Sequence, residues 1–180
     1  MKMLLMICAT ILASIYCFSF GENTKYKTDG PTLVELKDTA RSITLQVTQR
    51  GGFWKITSGD AASYLKTIAV NAFEKNVDNF VDITIEFDSL FTAGVLVGYG
   101  LNANGERAPI GAQFKNPYSP NGTSVVRMNL TEEHTCTGVP CACCKLKTFK
   151  GEVVACVCGH EHCEDLRPGA SCNHTVKVTM

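Results

Sequence analysis

Eight of the ten cysteines and all four histidines of this chain stand between His134 and His174. The stretch reads His134-Thr-Cys136-Thr-Gly-Val-Pro-Cys141-Ala-Cys143-Cys144, then eleven residues, then Cys156-Val-Cys158-Gly-His160-Glu-His162-Cys163, and finally Cys172-Asn-His174. Thiols and imidazoles at this density support two chemistries. One is a disulfide framework, which an even number of cysteines permits in an oxidising compartment. The other is a metal centre, because thiolate and imidazole are the ligands that zinc and copper prefer.

As a disulfide framework, the set is Cys136, Cys141, Cys143, Cys144, Cys156, Cys158, Cys163 and Cys172. Geometry removes some pairings. Adjacent Cys143 and Cys144 would close a strained ring, so each is expected to pair elsewhere. Cys156 and Cys158 lie on an apolar strand running from Val153 to Cys158 and point to one face. Their Cα atoms would stand about 6.6–7 Å apart, too far for a comfortable bridge. Closing loops of about 15 residues would contribute roughly 3 kcal/mol each in the chain-entropy treatment, which a segment poor in large apolar residues needs.

As a metal centre, Cys141-x-x-Cys144 and Cys156-x-Cys158 offer four thiolates for tetrahedral zinc, with Cys172 or His174 as alternates. His160 and His162 add imidazoles suited to copper. The clustering of histidines favours this reading, since disulfides do not require them. A third chemistry, thiol exchange at the C-x-x-C of Cys141 and Cys144, expects a helix opening after the motif. Lys145-Leu-Lys-Thr-Phe149 instead alternates like a strand, so no oxidoreductase and no catalytic residue is assigned.

Elsewhere the candidates are weaker. Asp82, Glu86 and Asp88 line one side of a strand, where calcium or an acid/base pair could sit, but such a row is also the ordinary solvated face of a half-buried strand. Gly98-Tyr99-Gly100 matches a dinucleotide loop only in its relaxed alanine form, and Asn104-Gly105 turns the chain where a helix should follow. Phe53-Trp54 could anchor a carbohydrate or a partner, although an aromatic pair beside a hairpin turn usually packs into the core.

The elements that must position these groups begin with an export signal. Met1-Lys2-Met3 is followed by the charge-free run Leu4–Phe20, and Ser19-Phe20-Gly21 places small residues at the −3 and −1 positions of a cut before Glu22. This is the pattern of a cleavable signal peptide over 1–21, and it predicts an extracytoplasmic protein, secreted or periplasmic. The run is short for a membrane span and no other segment is long enough. Cleavage removes Cys8 and Cys17, leaving eight cysteines of the ten, and removes Lys2, leaving 16 basic against 17 acidic residues and a net charge of −1. With no basic stripe, nucleic acid is not an expected partner. A protein or surface partner is expected, of unknown identity.

Residues 22–31 are polar and end in Gly30-Pro31, a flexible leader. Residues 32–133 contain no cysteine and carry the periodicities of an ordinary core. Ile43, Leu45 and Val47 alternate as a strand; Gly51-Gly52 turns the chain into Phe53–Ile56. Ser58 or Asp60 caps a helix over about 60–76, with Leu65, Ile68, Ala69, Ala72 and Phe73 on one stripe. Val81, Ile83, Ile85 and Phe87 define the clearest strand. Gly94–Leu101, a type I′ turn at Asn104-Gly105, Pro109–Phe114 and Val126–Leu130 complete the set. The expected fold is α+β: a mostly antiparallel sheet with one principal helix on a face, followed by a Cys/His-rich module over 134–180.

The tail pattern resembles the C-terminal module of small exported bacterial proteins. The residues that carry it are Cys136-Thr-Gly-Val-Pro-Cys141-x-x-Cys144, Cys156-x-Cys158 and Cys172-Asn-His-Thr175. The resemblance covers about residues 136–175 and implies no activity. Six cysteines recur in that pattern, so the two additional ones here, Cys143 and Cys163, are implied to pair with each other. A bacterial source would also leave the Asn121, Asn129 and Asn173 sequons unused; in a eukaryotic secretory pathway they would be glycosylation candidates. The expectation is an exported, non-enzymatic protein whose stapled tail is a structural or interaction unit, needing no cofactor. Zinc or copper binding by the tail is the alternative.

Overall fold

The computed structural model describes residues 30–116, 125–139, 141–159 and 168–179. The expected signal peptide, most of the leader and the turn-rich break at 117–122 lie outside the described residues. So do Asn121, His160, His162 and Cys163.

Ten strands and one helix follow in the order β1 (Thr32–Lys37), β2 (Ser42–Arg50), β3 (Phe53–Ser58), α1 (Ala61–Phe73), β4 (Asn79–Phe87), β5 (Ala93–Leu101), β6 (Arg107–Lys115), β7 (Val125–Val139), β8 (Cys144–Phe149), β9 (Glu152–Cys158) and β10 (Ser171–Val178). Strands β1 to β7 pair in sequence, each antiparallel to the one before it. The sheet does not stay open. β1 also pairs with β7, parallel, with Leu33 opposite Val125 and Lys37 opposite Asn129. The pairing is mostly antiparallel and there is one helix, as expected, but the sheet is a closed, mixed barrel of seven strands and not simply an antiparallel sheet. Parity explains the parallel seam: an odd number of strands, each reversing the last, leaves the first and seventh pointing the same way. Closure removes the unpaired edges that an open sheet must otherwise protect.

The seam depends on β1, which the hydrophobic pattern did not single out. Thr32, Val34 and Leu36 are buried, while Leu33 is 39% exposed, so the strand alternates over six residues only. The helix is where the periodicity predicts. Asp60 caps it, its Oδ1 accepting from Ser63 N at 2.9 Å, and Glu74 ends it in the left-handed region. Tyr64, Leu65, Ile68, Ala69 and Ala72 are buried against β4, β5 and β6. A Cβ at Gly98 would lie 2.8 Å from Leu65 Cδ1, so this glycine makes room for the helix and not for a phosphate.

Local corrections follow from backbone polar groups. β4 carries a bulge between Val81 and Thr84, with Asp82 at φ 51°, so its alternation is interrupted midway. The Asn104-Gly105 turn is not a two-residue type I′ turn. A longer connection runs from Asn102 to Glu106, and Asn102 Oδ1 accepts from the backbone N–H groups of both Asn104 and Glu106 at 2.9 Å. Gly105 still takes positive φ, 75°, and its N–H donates to the Asn102 carbonyl at 2.9 Å, so side chain and glycine close the turn together.

Two apolar clusters result. The larger fills the barrel interior between its walls and α1. The smaller lies on the outer face of β5, where Val95 and Val97 are covered by Leu146 and by a set of cysteines. The β8–β9 hairpin forms the lid of this second cluster. β7 spans residues 125–139 without a break, so the division expected at 133/134 falls inside one strand. Its first half closes the barrel against β1, and its second half pairs with β10.

Candidate functional site: a stapled cysteine and histidine face

Side chains two apart on a strand share a face. On β7 this places Glu132, His134 and Cys136 together, and the register sets Cys136 opposite His174 and Gly138 opposite Cys172 on β10. The β8–β9 hairpin brings further cysteines to the same side. Cys144 opposes Cys158 in its ladder, and Leu146 opposes Cys156.

Three disulfides join these elements. Cys136 of β7 is bonded to Cys156 of β9, Cys141 of the preceding loop to Cys158 of β9, and Cys144 of β8 to Cys172 of β10. Their Cα separations of 5.9, 5.9 and 5.8 Å are ordinary for the bond. Cys143 is also disulfide-bonded. Its implied partner, Cys163, lies outside the described residues. Neither Cys143 and Cys144 nor Cys156 and Cys158 are bonded to each other, as strand geometry requires. The C-x-x-C cysteines, Cys141 and Cys144, take separate partners, and β8 follows them as a strand.

Gly138 has a specific place in this arrangement. A Cβ there would overlap the Cys141 carbonyl oxygen, at 1.4 Å, so the backbone at Cys141 lies directly on β7. Only glycine permits that approach. The hairpin is held at its other end by polar contacts. Glu86 Oε2 accepts from Thr148 Oγ1 at 2.6 Å, and buried Gln113 accepts through Oε1 from Val153 N at 2.9 Å.

As a possible metal centre, the cysteines converge. The sulfurs of Cys141, Cys144 and Cys172 lie within 4.8 Å of one another. All three are engaged in disulfides here, and a disulfide sulfur is not the thiolate a metal takes. Cys156, bonded to Cys136, stands outside this trio, as does Cys158. Of the histidine candidates, only His174 is described, and it does not join the sulfurs. It faces His134: Nδ1 of His134 and Nε2 of His174 are 3.0 Å apart. His134 is 1% exposed, and its Nε2 makes no hydrogen bond, with Glu132 Oε2 3.4 Å away. Burial, and then the neighbouring ring, push the His134 pKa down to about 4; burial lowers that of His174 also. Both rings are neutral at pH 7. Sequence reasoning counted His134 in the dense stretch but assigned it no role. The signal was its spacing of two from Glu132 and from Cys136.

The remaining candidates disperse. Asp82 pairs with Arg107, Glu86 holds the hairpin, and Asp88 accepts from the backbone N–H of Thr92 at 2.7 Å. Each carboxylate has a structural partner, and they do not converge on one point. Trp54 packs edge-on against Phe87 and Phe91, with ring centroids 5.4 and 5.0 Å away, while Phe53 is 81% exposed beside it. Beside the disulfides, a cleft of about 710 Å³ is lined by Lys75, Arg107 and Cys136 among others. The Lys75 ammonium, its pKa lowered by burial, reaches the Cys136 carbonyl at 3.4 Å.

Fold and site together define a closed β-barrel with a packed helix and a disulfide-stapled hairpin on its outer wall. Comparison with protein-family models, curated proteins and solved structures returns no match. Among the described residues no helix is long and apolar enough to cross a membrane, which says nothing of strands.

Proposed function

We propose that this chain is an exported, non-enzymatic protein whose cysteine-rich end is a covalent staple presenting a rigid structural or interaction surface outside the cytoplasm. One observation carries the reading: each of the three described disulfides joins a different pair of segments, so the hairpin is tied to β7, to the loop before it and to β10. A hairpin of two short strands is marginal alone. Stapled to a barrel, it holds Phe149 and Val154 at the surface, 60% and 51% exposed, without collapsing onto them. Disulfides in this number suit an oxidising compartment, in keeping with the export signal expected at 1–21. Thiol counting on protein recovered from its native compartment tests the reading. Near-zero free thiols before reduction, and eight after it, supports the staple. Four or more free thiols in the native protein would defeat it.

The convergence of Cys141, Cys144 and Cys172 favours a second reading, in which the reduced tail holds zinc or copper through thiolates. The same experiment separates the two, because that form shows chelator-released thiols and bound metal.

A further inference from the structure

Lys75 is a half-buried charge that the fold leaves without a counter-charge. Its backbone is fixed where α1 ends. Glu74 takes the left-handed conformation, and the Lys75 N–H donates to the Ala69 carbonyl at 2.8 Å, the closing bond of a helix C-terminus. The side chain then crosses to β7, where Nζ meets the Cys136 carbonyl at 3.4 Å and the Thr137 hydroxyl at 3.5 Å. Both oxygens are neutral, and both distances exceed the usual range of about 2.7–3.2 Å. Among the described residues, no carboxylate pairs with this ammonium. Burial lowers its pKa, as happens when an ammonium leaves water with nothing charged to replace its hydration. Lys75 lines a cleft of about 710 Å³, within the size range of small-ligand sites. Across the cleft Arg107 is already held, since Asp82 pairs with it and its guanidinium lies 4.7 Å from the Tyr99 ring centroid. Glu106 is occupied too, accepting from the Asn102 amide at 2.6 Å.

We propose that this cleft binds a small organic monocarboxylate, with the carboxylate on Lys75 and the apolar body against Val77, Ala108 and Ala142. The ligand supplies the negative charge that Lys75 lacks. The Thr137 hydroxyl stands beside the ammonium as a further donor, and Arg107 keeps N–H groups to spare beyond its bond to Asp82. One acid group is the limit. Only the Lys75 charge is unanswered, and Glu106 in the wall repels a second negative charge, which sets a carboxylate above a phosphate. Cys136, Cys141 and Cys144 form the back of the cleft, and each is tied by a disulfide, so this wall is fixed before a ligand arrives.

The inference does not rest on the staple's role, and its test is separate from thiol counting. The oxidised full-length protein is titrated with benzoate at neutral pH and followed by calorimetry and amide NMR shifts. A single saturable site should appear, with the shifts centred on Asn76, Ala108 and Thr137. Benzamide, which keeps the shape without the charge, should bind about tenfold more weakly or worse. Acetate, which lacks the apolar body, and inorganic phosphate should both bind more weakly than benzoate. Lys75→Met keeps the side-chain length and removes the charge; it should weaken benzoate binding by about tenfold or more with every disulfide retained. Lys75→Arg should hold it within a few-fold. Absence of saturable benzoate binding would overturn the proposal. So would benzamide or acetate binding as well as benzoate, phosphate binding more tightly, or an unchanged affinity in Lys75→Met.

Discussion

The Glu86 carboxylate, on β4 of the barrel, accepts a 2.6 Å hydrogen bond from the Thr148 hydroxyl at the end of β8, sixty-two residues further on. Its other oxygen faces the backbone N–H of Gly151 in the hairpin turn at 3.4 Å. Together with Gln113, which accepts from Val153 N, this side chain holds the hairpin tip, at the end remote from the disulfides. Glu86→Ala should therefore destabilise the protein by about 1–3 kcal/mol, the range for losing a hydrogen bond to a charged group. Hydrogen exchange should localise the loss to β8 and β9, with the barrel amides little changed. Uniform loss of protection across the barrel would show that the contact supports the fold as a whole.

Cys144–Cys172 joins β8 to β10 and spans 28 residues, the longest of the described bridges. In the chain-entropy treatment, a loop of this size stabilises the folded state by roughly 3–4 kcal/mol. Replacing both cysteines with serine should lower stability by about 2–4 kcal/mol and release β10 from β7 before the barrel opens. Denaturant unfolding monitored by Trp54, which packs on Phe87 and Phe91 inside the barrel wall, would then lag behind exchange at β10. Coincident transitions would refute this order and make tail and barrel one cooperative unit.

Acid should act through His134. Its folded pKa is lowered to about 4 from the usual 6.5, so the unfolded chain binds this proton first as pH falls. The contribution of the neutral ring is complete above about pH 6.5 and is lost progressively as pH drops toward about 4, by up to a few kcal/mol. His174 shifts the same way, and Glu133, whose pKa burial raises, acts in the opposite sense. Urea midpoints should fall between about pH 7 and about pH 4.5, and His134→Gln should flatten that dependence. An equal slope in the variant would assign the effect to other groups.

How far the sequence could be read depended on how each element buries its residues. α1 was legible because its stripe of Leu65, Ile68, Ala69 and Ala72 meets the core on one side only. The strand bearing Ile85 and Phe87 was legible for the same reason, up to the bulge at Asp82 that no local pattern announces. The barrel was not. Closure depends on the pairing of Leu33–Lys37 with Val125–Asn129, far apart in the chain, and a short parallel seam leaves no local signature. β5 hid its two faces as well, because Leu96 turns to the interior while Val95 and Val97 face a second apolar cluster under the hairpin. In the tail, composition announced thiol and imidazole chemistry but could not place it. The partners of Cys136, Cys141 and Cys144 follow from the folding of β8–β9 onto β7, a long-range event. The pairing of His134 with His174 needed the register between β7 and β10.

The bond at Cys143 gives the sharpest remaining test of the tail. Cys143 is disulfide-bonded, and the six cysteines of the three described bridges are already paired among themselves. If the cleavage proposed for residues 1–21 removes Cys8 and Cys17, Cys163 is the one further cysteine the sequence offers as its partner. The backbone agrees in placing the start of the 159–163 segment close by, since Gly159 N donates to the Cys143 carbonyl at 3.1 Å. Non-reducing peptide mapping of the mature protein should therefore yield one peptide linking Cys143 to Cys163, alongside the other three bridges. Cys163→Ser should leave a single reactive thiol at Cys143 and keep the other three bonds, with a loss of about 2–3 kcal/mol for a closed loop of about twenty residues. Recovery of covalent dimers through Cys143 in the unmodified protein, or a free thiol at Cys163, would overturn the pairing.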